Sequence, residues 1–318
     1  MGRMHGNVYS LIDEAELVAV CDYREEKLAI YGEEFGVPQY TDLEQMIDEQ
    51  KLDIVDICLP THLHKEFTVR AARKGKHVFC EKPMALNLAE ADEMIAECKA
   101  AGVQLFIGHC IRFWPEYVFL KQMAESGEYG DLLSVNLTRY GEFPSWSSSN
   151  WLADEALSGG GVLDMHIHDT DFALYLLGQP DEMVSFGNID DRGPGHAFTT
   201  MRFGKALAHL EGGWNLPTRT PFKMAFRAVF ERGAAIMDGG PLTIYRPGQE
   251  PWVPDFPVME AAGGGNISNL GGYYHETKYF IDCLLAGKPV ETVTPESSRE
   301  SLKTVLDEIA QIKSRATA

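Results

Sequence analysis

The sequence predicts an α/β domain that contains a parallel β-sheet, followed by an α+β domain with a mostly antiparallel, open β-sheet. Two observations lead to this prediction. Apolar strand-like runs alternate with helix-like segments through about the first hundred residues, and later strand-like runs follow one another with turn residues between them. Alternation favours parallel strands joined by right-handed crossovers, whereas strands joined by tight turns favour antiparallel pairing. The length of 318 residues fits two domains of ordinary size.

The first domain is predicted to contain four strands, at 16–22, 53–60, 77–83 and 103–109. The run DIVDICLP at 53–60 is almost continuously apolar and rich in β-branched residues, which is typical of a strand buried on both faces. Two helices between the strands carry capping signals. Thr41 with Glu44 resembles a capping box, and Asn87 with Glu90 caps a later helix.

The second domain is predicted to contain seven strands, at 131–143, 183–189, 196–204, 206–215, 222–231, 234–239 and 242–248. Gly263, Gly264 and Gly265 predict a loop. A final helix begins at Thr294-Pro295, where proline suits the first helical position.

Composition excludes several classes of function. A net charge of −19 disfavours a nucleic-acid partner, since no basic surface exists in bulk to neutralise phosphates. No apolar run approaches the ~20 residues needed to cross a bilayer, and no signal-peptide pattern opens the chain. The six cysteines form no C-x-x-C pair, so neither a zinc ribbon nor a disulfide scaffold is predicted. We therefore expect a cytoplasmic enzyme or binding protein without a membrane partner.

Residues 159–178, GGGVLDMHIHDTDFALYLLG, predict an amphipathic helix with an unusually charged polar side. Its five ionisable groups allow three interpretations: satisfied structural residues, a metal site or an acid–base pair. A metal site needs three or four convergent ligands, whereas His166 and His168 diverge on a helix, so no metal is predicted and His166 is interpreted as a core residue. Asp164 and His168 lie four residues apart on one face. Glycines 159–161 allow the helix start to approach a ligand or a neighbouring backbone.

Ligands of doubly wound α/β domains bind outside the carboxyl ends of the strands. Asp22 ends a predicted strand, where a carboxylate can accept hydrogen bonds from both ribose hydroxyls of NAD and repel the 2′-phosphate of NADP. Arg24 is close enough to keep NADP possible, and a helix-capping role for Asp22 is the alternative. Gly2 fits the last glycine of a G-x-G-x-x-G loop. The first two glycines and the strand before them would then precede residue 1, and we expect the chain to begin inside a longer natural protein.

The segment HVFCEKPMALNLAEADEMI, flanked by CLPTHLHKEFTVRAARKGKH and GHCIRFWPEY, resembles the glucose–fructose oxidoreductase/inositol dehydrogenase (Gfo/Idh/MocA) family. The resemblance continues through residues 158–178 and YYHETKYFIDCLLAGKPV, so it covers essentially the whole chain. Its most specific elements are Glu81-Lys82-Pro83 and the pair Asp164 and His168. Two features depart from the family pattern: the glycine loop is incomplete, and the frequent Thr-Pro-Asn turn reads Leu59-Pro60-Thr61.

The resemblance implies a Rossmann domain at 1–112, a substrate and oligomerisation domain at 113–290, and a C-terminal helix at 291–318 that packs back on the first domain. It also implies NAD(P)-dependent alcohol–carbonyl chemistry and dimers or tetramers. The expected cofactor contacts are Gly2, Asp22, Pro60, His64, Glu81 and Lys82.

The chemistry of alcohol oxidation fits the roles that the resemblance implies. The hydroxyl proton must leave as hydride departs from carbon, and a histidine with an ordinary pKa near 6.5 suits a base at neutral pH. We interpret His168 as this base, Lys82 as the donor to the same oxygen, and Asp164 as the group that orients them. Lys82 is the alternative base, because burial beside a positive nicotinamide favours a neutral amine.

Four softer substrate contacts complete the predicted site. Arg112 and Trp114 follow a strand end and are predicted to contact the substrate or the nicotinamide ribose, with packing at a domain hinge as the alternative. Asn150 and Trp151 precede the charged helix, and an amide and an aromatic face suit polyhydroxylated rings.

The sequence therefore predicts an NAD-preferring dehydrogenase or reductase that acts on a sugar, sugar derivative or cyclitol. An NAD-dependent glycosidase and a non-catalytic NAD(H)-binding protein are the alternatives, and a metal-dependent sugar isomerase ranks last. An antiparallel sheet with one uncovered face would be a natural interface for a homodimer or homotetramer.

Overall fold

The computed structural model describes residues 1–259 and 270–316. The loop predicted at Gly263, Gly264 and Gly265 lies outside these residues. The predicted fold class is confirmed: parallel strands form the first part of the chain, and a seven-stranded, mostly antiparallel sheet forms the second. No helix in the described ranges is long and apolar enough to span a bilayer.

The first part alternates helices and strands along the chain. They are α1 Gly2–Tyr9, β1 Val20–Cys21, α2 Glu25–Phe35, β2 Gln39–Tyr40, α3 Leu43–Glu49, β3 Ile54–Ile57, α4 His64–Arg73, β4 His77–Glu81, α5 Leu88–Ala101 and β5 Leu105–Gly108.

The parallel strands form two separate sheets. Strands β3, β4 and β5 pair in that order, and β1 pairs with β2. Strand β3 lies at the edge of its sheet with only Val55 and Ile57 buried, so the prediction that 53–60 is buried on both faces was wrong. The four residues of β5 are all buried instead. The expected strand before residue 1 stays a prediction.

Side-chain caps decide where two of these helices begin. The capping box predicted at Thr41 and Glu44 was wrong, because Asp42 is the N-cap and accepts a hydrogen bond from the Gln45 amide at 2.8 Å. The prediction for α5 is confirmed. The Asn87 side chain accepts from the Glu90 amide at 3.0 Å, and the Glu90 carboxylate accepts from the Leu86 amide at 3.2 Å.

The second part places helices around the large sheet. Its elements are α6 Pro115–Ser126, β6 Leu132–Glu142, α7 Glu155–Ser158, α8 Ile167–Leu177, β7 Glu182–Asp190, β8 Gly193–Phe203, β9 Ala206–Leu216, β10 Lys223–Phe230, β11 Gly233–Met237, β12 Thr243–Tyr245, α9 Gly271–Leu285 and α10 Pro295–Ala316.

The large sheet has the strand order β12-β11-β10-β6-β9-β8-β7. Strands β6 and β9 pair in parallel, and the other pairs are antiparallel. One face packs on α6 and α8 through a core that includes Tyr117, Phe172 and Phe226. Side chains on the other face alternate with the core residues and are exposed, including Phe198 and Leu207. The prediction of an open sheet is confirmed.

Helix α10 connects the two parts of the chain. It begins at the predicted Pro295, and the Ser297 amide donates to Thr294 Oγ1 at 3.0 Å. Arg299 contacts Asp92 of α5, whereas the Gln311 side chain accepts from the Ser185 amide of β7 at 3.0 Å. The helix thus contacts the second part as well as the first, and the division at residues 112 and 290 stays a prediction.

Candidate active site

Lys82 stands at the carboxyl edge of the β3-β4-β5 sheet because β4 ends at Glu81. Its Nζ donates to the main-chain carbonyl of Asp164 at 2.7 Å and lies 3.3 Å from the carboxylate Oδ1 of the same residue. Both side chains are mostly shielded from water, with 15% of Lys82 and 18% of Asp164 exposed. The structure therefore brings together two residues that lie 82 positions apart in the sequence.

The segment 159–178 is not the single α-helix that the sequence predicts. Helix α7 ends at Ser158, Gly159 and Gly160 adopt positive φ, and Val162–His166 form a π-helical turn before α8 starts. A Cβ on Gly160 would lie 2.8 Å from the Pro194 carbonyl oxygen, so the glycines approach the backbone of β8. The wider π turn disrupts the usual i→i−4 bonding, and the Asp164 carbonyl accepts from Lys82.

His168 is the second candidate catalytic side chain, and among charged groups Lys82 has the largest effect on its pKa. Burial lowers the pKa of His168 well below its usual value, and the positive charges of Lys82 and Arg139 and the ring of His109 act in the same direction. His168 is therefore neutral at physiological pH. Its Nδ1 is buried and has no hydrogen-bond partner in the described part of the chain. No hydrogen bond between Asp164 and His168 is found there, and the contacts of Asp164 are with Lys82.

The other ionisable groups of the segment are explained by buried partners. Their side chains are fully buried and face β6, α10 or the loop after β5, which supports a structural role for them. The pairs are His166 with Glu308 at 3.4 Å, Asp169 with Arg139 at 3.1 Å, and Asp171 with Arg112 at 2.6 and 2.8 Å.

Arg112 binds Asp171 rather than facing Lys82. Its guanidinium is 4% exposed, makes a bidentate pair with the Asp171 carboxylate, and donates to the Thr292 carbonyl at 2.7 Å. Ser301 of α10 donates to the same carboxylate at 2.7 Å. These contacts favour the hinge-packing alternative for Arg112 over the predicted substrate contact.

Trp114, Asn150 and Trp151 are the remaining predicted substrate contacts. Trp114 is the N-cap of α6 and packs edge-to-face on Tyr273, 5.6 Å between ring centroids. Asn150 is exposed, and Trp151 follows it in a short 3₁₀ segment. No hydrogen bond or ring contact joins these three residues to Lys82 or His168 in the described ranges, and their substrate role stays a prediction.

Asp22 follows β1, as predicted, and is paired with Arg24. Its carboxylate accepts from the Arg24 amide and Nε at 2.9 Å each and from Nη2 at 2.6 Å. Partial burial opposes ionisation, but these hydrogen bonds lower the pKa of Asp22. The pair presents an anion next to a guanidinium at the strand end where a cofactor ribose is expected.

His64, a predicted cofactor residue, holds two backbone segments together rather than facing solvent. His64 is 1% exposed, and its Nδ1 and Nε2 each lie 2.8 Å from a carbonyl oxygen, of Pro83 and Leu59 respectively. The ring joins the turn at Leu59-Pro60 to the loop that carries Lys82. Burial lowers the pKa of His64, although both carbonyls favour the charged form. A neutral ring donates to one of these carbonyls.

The first turn of α1 lies beside the end of β3, which is where a phosphate group is expected. A Cβ on Gly2 would lie 3.7 Å from Cys58 Cβ, and no side chain caps this helix end. Free amides at a helix N-terminus suit an anion such as a pyrophosphate.

Sequence reasoning missed a cluster beneath this helix end. Glu81 is 4% exposed and lies 3.0 Å from His5 Nε2. Glu276 of α9 is fully buried nearby, and burial and the Glu81 charge raise its pKa well above the usual value. A histidine one turn after Gly2 was a local signal for His5, but α9 gives no local signal that Glu276 meets β4.

Family profiles match both parts of the chain. Residues 1–109 match a profile described as oxidoreductase family, NAD-binding Rossmann fold, and residues 117–236 match one described as GFO/IDH/MocA C-terminal domain. The chain belongs to the Gfo/Idh/MocA family. The resemblance on Glu81-Lys82-Pro83 and the 158–178 segment is thereby confirmed.

Relatives within the Gfo/Idh/MocA family differ in the reactions they are named for. Myo-inositol 2-dehydrogenase of Thermotoga maritima is 38% identical over 185 residues, covering 58% of this chain and 54% of the relative. The 2,7-anhydro-N-acetylneuraminate hydratase of Escherichia coli is 33% identical over 203 residues, covering 61% and 54%. The chain thus spans about half the length of these curated relatives. A crystal structure of a probable dehydrogenase from Thermotoga maritima is 27% identical, with a TM-score of 0.79 over 99% of this chain and 94% of that chain.

Proposed function

We propose that this Gfo/Idh/MocA chain is an NAD-dependent oxidoreductase that moves hydride between the nicotinamide and a secondary alcohol or carbonyl of a sugar, sugar derivative or cyclitol. The observation that carries the proposal is the Lys82–Asp164 pair at the end of β4 with neutral His168 beside it. The myo-inositol 2-dehydrogenase relative supports a cyclitol or sugar as the substrate class.

Lys82 is suited to bind the reacting oxygen. An ammonium group has three N–H donors, and Asp164 accepts two of them through its carbonyl and its carboxylate. The third donor is left for a substrate oxygen. Because the two contacts to Asp164 fix the direction of Nζ, the donor is aimed before the substrate arrives, which stabilises negative charge developing on that oxygen.

His168 is suited to accept the hydroxyl proton. Burial, together with the positive charges of Lys82 and Arg139, keeps its ring neutral, so a free nitrogen is available as an acceptor at neutral pH. The same environment makes the protonated ring a strong acid, which helps return the proton when a carbonyl is reduced. General acid–base catalysis of this kind contributes typically ~10²–10⁴-fold to a rate.

The residues present fit a bound NAD. The first turn of α1 would offer amides to the pyrophosphate, Asp22 would accept from ribose hydroxyls, and Lys82, which follows β4, would lie on the side of the nicotinamide. When bound, the nicotinamide supplies the hydride acceptor or donor. The buried Nδ1 of His168, which lacks a partner among the described residues, supports a polar ligand in this region.

The proposal is tested by calorimetric titration of NAD and NADP into the chain, followed by a panel of polyols and sugars assayed for NADH absorbance. Turnover on a cyclitol or sugar supports the proposal and names the substrate class. Binding of NAD without net NADH from any member of the panel contradicts a simple dehydrogenase.

A second candidate function uses the same residues without net redox change. The hydratase relative, 33% identical, is named for addition of water rather than for oxidation. In an elimination or hydrolysis of a sugar, the proposed NAD would be reduced and reoxidised within one turnover, as the glycosidase alternative requires. Product formation with a constant NADH level distinguishes this candidate from the dehydrogenase.

We also propose that two or more copies assemble through the open face of the large sheet. Phe186 is 56%, Phe198 40% and Leu207 47% exposed on neighbouring strands β7, β8 and β9. Apolar side chains of this size on a flat, uncovered sheet favour association with an equivalent sheet.

A further inference from the structure

His5 of α1 is buried between two carboxylates. Its ring is 2% exposed, with Nδ1 2.8 Å from Asp56 Oδ2 and Nε2 3.0 Å from Glu81 Oε1. A neutral imidazole carries one N–H and can donate to only one of these anions. Two acceptors at hydrogen-bond distance therefore call for an imidazolium, which donates to both.

Glu81 connects His5 to the loop that carries Lys82 through two hydrogen bonds. While Oε1 accepts from His5, Oε2 accepts from the main-chain amide of Lys82 at 3.1 Å. The Lys82 side chain is in turn held by Asp164. A continuous chain of hydrogen bonds thus runs from α1 through Glu81 to the backbone of Lys82.

The groups around His5 include two further donors to Asp56 and a second buried carboxyl group. Tyr9 donates to Asp56 Oδ2 at 2.8 Å, and Cys58 Sγ donates to Asp56 Oδ1 at 3.4 Å. From α9, Glu276 approaches His5 and Glu81 with ligand atoms within 4.8 Å of one another. Its carboxyl group is fully buried and has no hydrogen-bond partner in the described chain, which favours its neutral form.

We propose that His5 is a positioning residue for Lys82: its imidazolium bridges Asp56 and Glu81, fixes the Glu81 carboxylate, and through it holds the backbone that aims the lysine. Because His5 lies on the first turns of α1, the helix expected to meet the cofactor pyrophosphate also fixes the catalytic loop. This inference rests on the proposed function for the role of Lys82, but the link itself has its own readout.

The test compares His5→Gln with Val8→Ala. Gln keeps a polar side chain but cannot carry the positive charge, whereas Val8 is a fully buried α1 residue whose truncation weakens packing without touching the link. The expected result for His5→Gln is a kcat lowered by about 10- to 100-fold with substrate KM changed by less than about 3-fold. Val8→Ala is expected to keep kcat within about 2-fold at the same folded fraction.

The second readout does not need turnover. Lys82 is labelled with trinitrobenzenesulfonate and its modification followed by peptide mass mapping, with and without NAD. In the wild type, NAD is expected to change the Lys82 labelling rate, and in His5→Gln this response is expected to be lost. His5→Arg, which restores a positive charge with several donors, is expected to recover part of the response. If His5→Gln does not fold, Glu81→Leu removes both acceptors of the link and is expected to lose the response too.

Several results would overturn the inference. They are an unchanged kcat in His5→Gln, an equal kcat loss in Val8→Ala, or a labelling response to NAD that persists without the link. Strong stabilisation of the wild type by Zn²⁺ or Mn²⁺ that His5→Gln abolishes would also overturn it, because the cluster would then be a metal site. If no substrate turns over at all, the proposed function fails, while the labelling comparison still decides the role of His5.

Discussion

Lys82 at the end of β4 and Asp164 in the π turn before α8 are joined by two contacts, 2.7 Å to the main-chain carbonyl and 3.3 Å to the carboxylate. The carbonyl contact depends on the backbone of the turn and would survive a change of the Asp164 side chain. The two halves of the proposed site thus come from different parts of the chain, and the geometry of one glycine-led turn determines how they meet. This relationship sets the order of effects expected from substitutions.

Substitution of Lys82 or His168 is expected to abolish most turnover while the protein stays folded. Lys82→Ala and His168→Ala should each lower kcat by about 10²-fold or more, because each removes a group proposed to bind the reacting oxygen or its proton. Asp164→Asn should cost less, since the main-chain carbonyl still holds Lys82 Nζ. Steady-state kinetics with circular dichroism as a folding control measures this. A wild-type rate in Lys82→Ala or His168→Ala would remove that residue from the mechanism.

Changes at Asp22 and Arg24 are expected to separate the affinities for NAD and NADP. Asp22→Ala should weaken NAD more than NADP, since the carboxylate proposed to accept from ribose hydroxyls is lost together with its repulsion of a 2′-phosphate. Arg24→Ala should weaken NADP and leave Asp22 unpaired at the strand end. Titration calorimetry of NAD and NADP with each variant gives the ratio of the two dissociation constants. Equal losses for the two cofactors in Asp22→Ala would place the ribose elsewhere.

Arg112 is expected to matter for stability more than for substrate affinity. Arg112→Leu leaves the Asp171 carboxylate buried without its main partner, a situation that typically costs about 3–5 kcal/mol of unfolding free energy. Arg202 provides a matched control, because its pair with Glu182 has side chains that are 54% and 58% exposed. Arg202→Leu should change stability by less than about 1 kcal/mol.

Urea unfolding gives the free energy of unfolding of each single variant. The same measurement is made on a double variant that carries both Arg112→Leu and Asp171→Leu. The double variant should recover part of the loss, because neither charge is then left alone in the core. A normal stability for Arg112→Leu with a raised substrate KM would instead support the substrate contact predicted from the sequence.

Charge placed on the open sheet face is expected to prevent association. Phe198→Glu introduces a carboxylate at the middle of the proposed interface, whereas Trp146→Glu changes a 70% exposed side chain outside the sheet. Sedimentation equilibrium should give a dimer or tetramer for the wild type and for Trp146→Glu. For Phe198→Glu the association constant should fall by about 10-fold or more. A monomeric wild type, or an unaffected Phe198→Glu, would show that this face is not the interface.

Local patterns predicted those parts of the fold and site that local physics determines. Strand–helix alternation identified the parallel strands, and the ends of predicted strands located Asp22 and Lys82 at a ligand-binding edge. The 3.6-residue period failed at Val162–His166, because a π turn depends on contacts of Gly160 and Asp164 with distant segments. Periodicity carries no information about such contacts.

The sequence did not predict which residues far apart in the chain pair with each other. From the sequence alone, a substrate contact and a hinge position were equally plausible for Arg112. The structure shows that its guanidinium pairs with Asp171, 59 positions later. His5 and Glu81 are 76 positions apart, and neither has a local pattern that predicts the other. The catalytic roles of Lys82, Asp164 and His168 stay predictions that only the substitutions above can test.

Stability is expected to fall in mild acid because of buried neutral histidines, among them His109. Burial lowers the pKa of His109 to about 4, with the Asp171 charge opposing this shift. The unfolded chain binds a proton at this residue below a pH of about 6.5, whereas the folded chain does not until about pH 4, so the folded state loses stability as pH falls through that window. One such group contributes a slope of about 1.4 kcal/mol per pH unit. His168 acts in the same direction.

His166 provides a comparison of opposite sign. Burial disfavours its charged form, but Glu308 raises the pKa of His166 overall. The stabilisation from its pairing with Glu308 is therefore fully present below pH 6.5. It is lost as pH rises through the raised pKa of His166 in the folded state. Urea titrations between pH 4.5 and 8 give the free energy of unfolding as a function of pH. In acid its slope should be smaller for His109→Gln, by the uptake of about one proton. In alkali the loss of unfolding free energy should be smaller for His166→Gln. If His109→Gln kept the full acid slope, the proton uptake would belong to another group, with His168 the first to examine because burial lowers its pKa in the same direction.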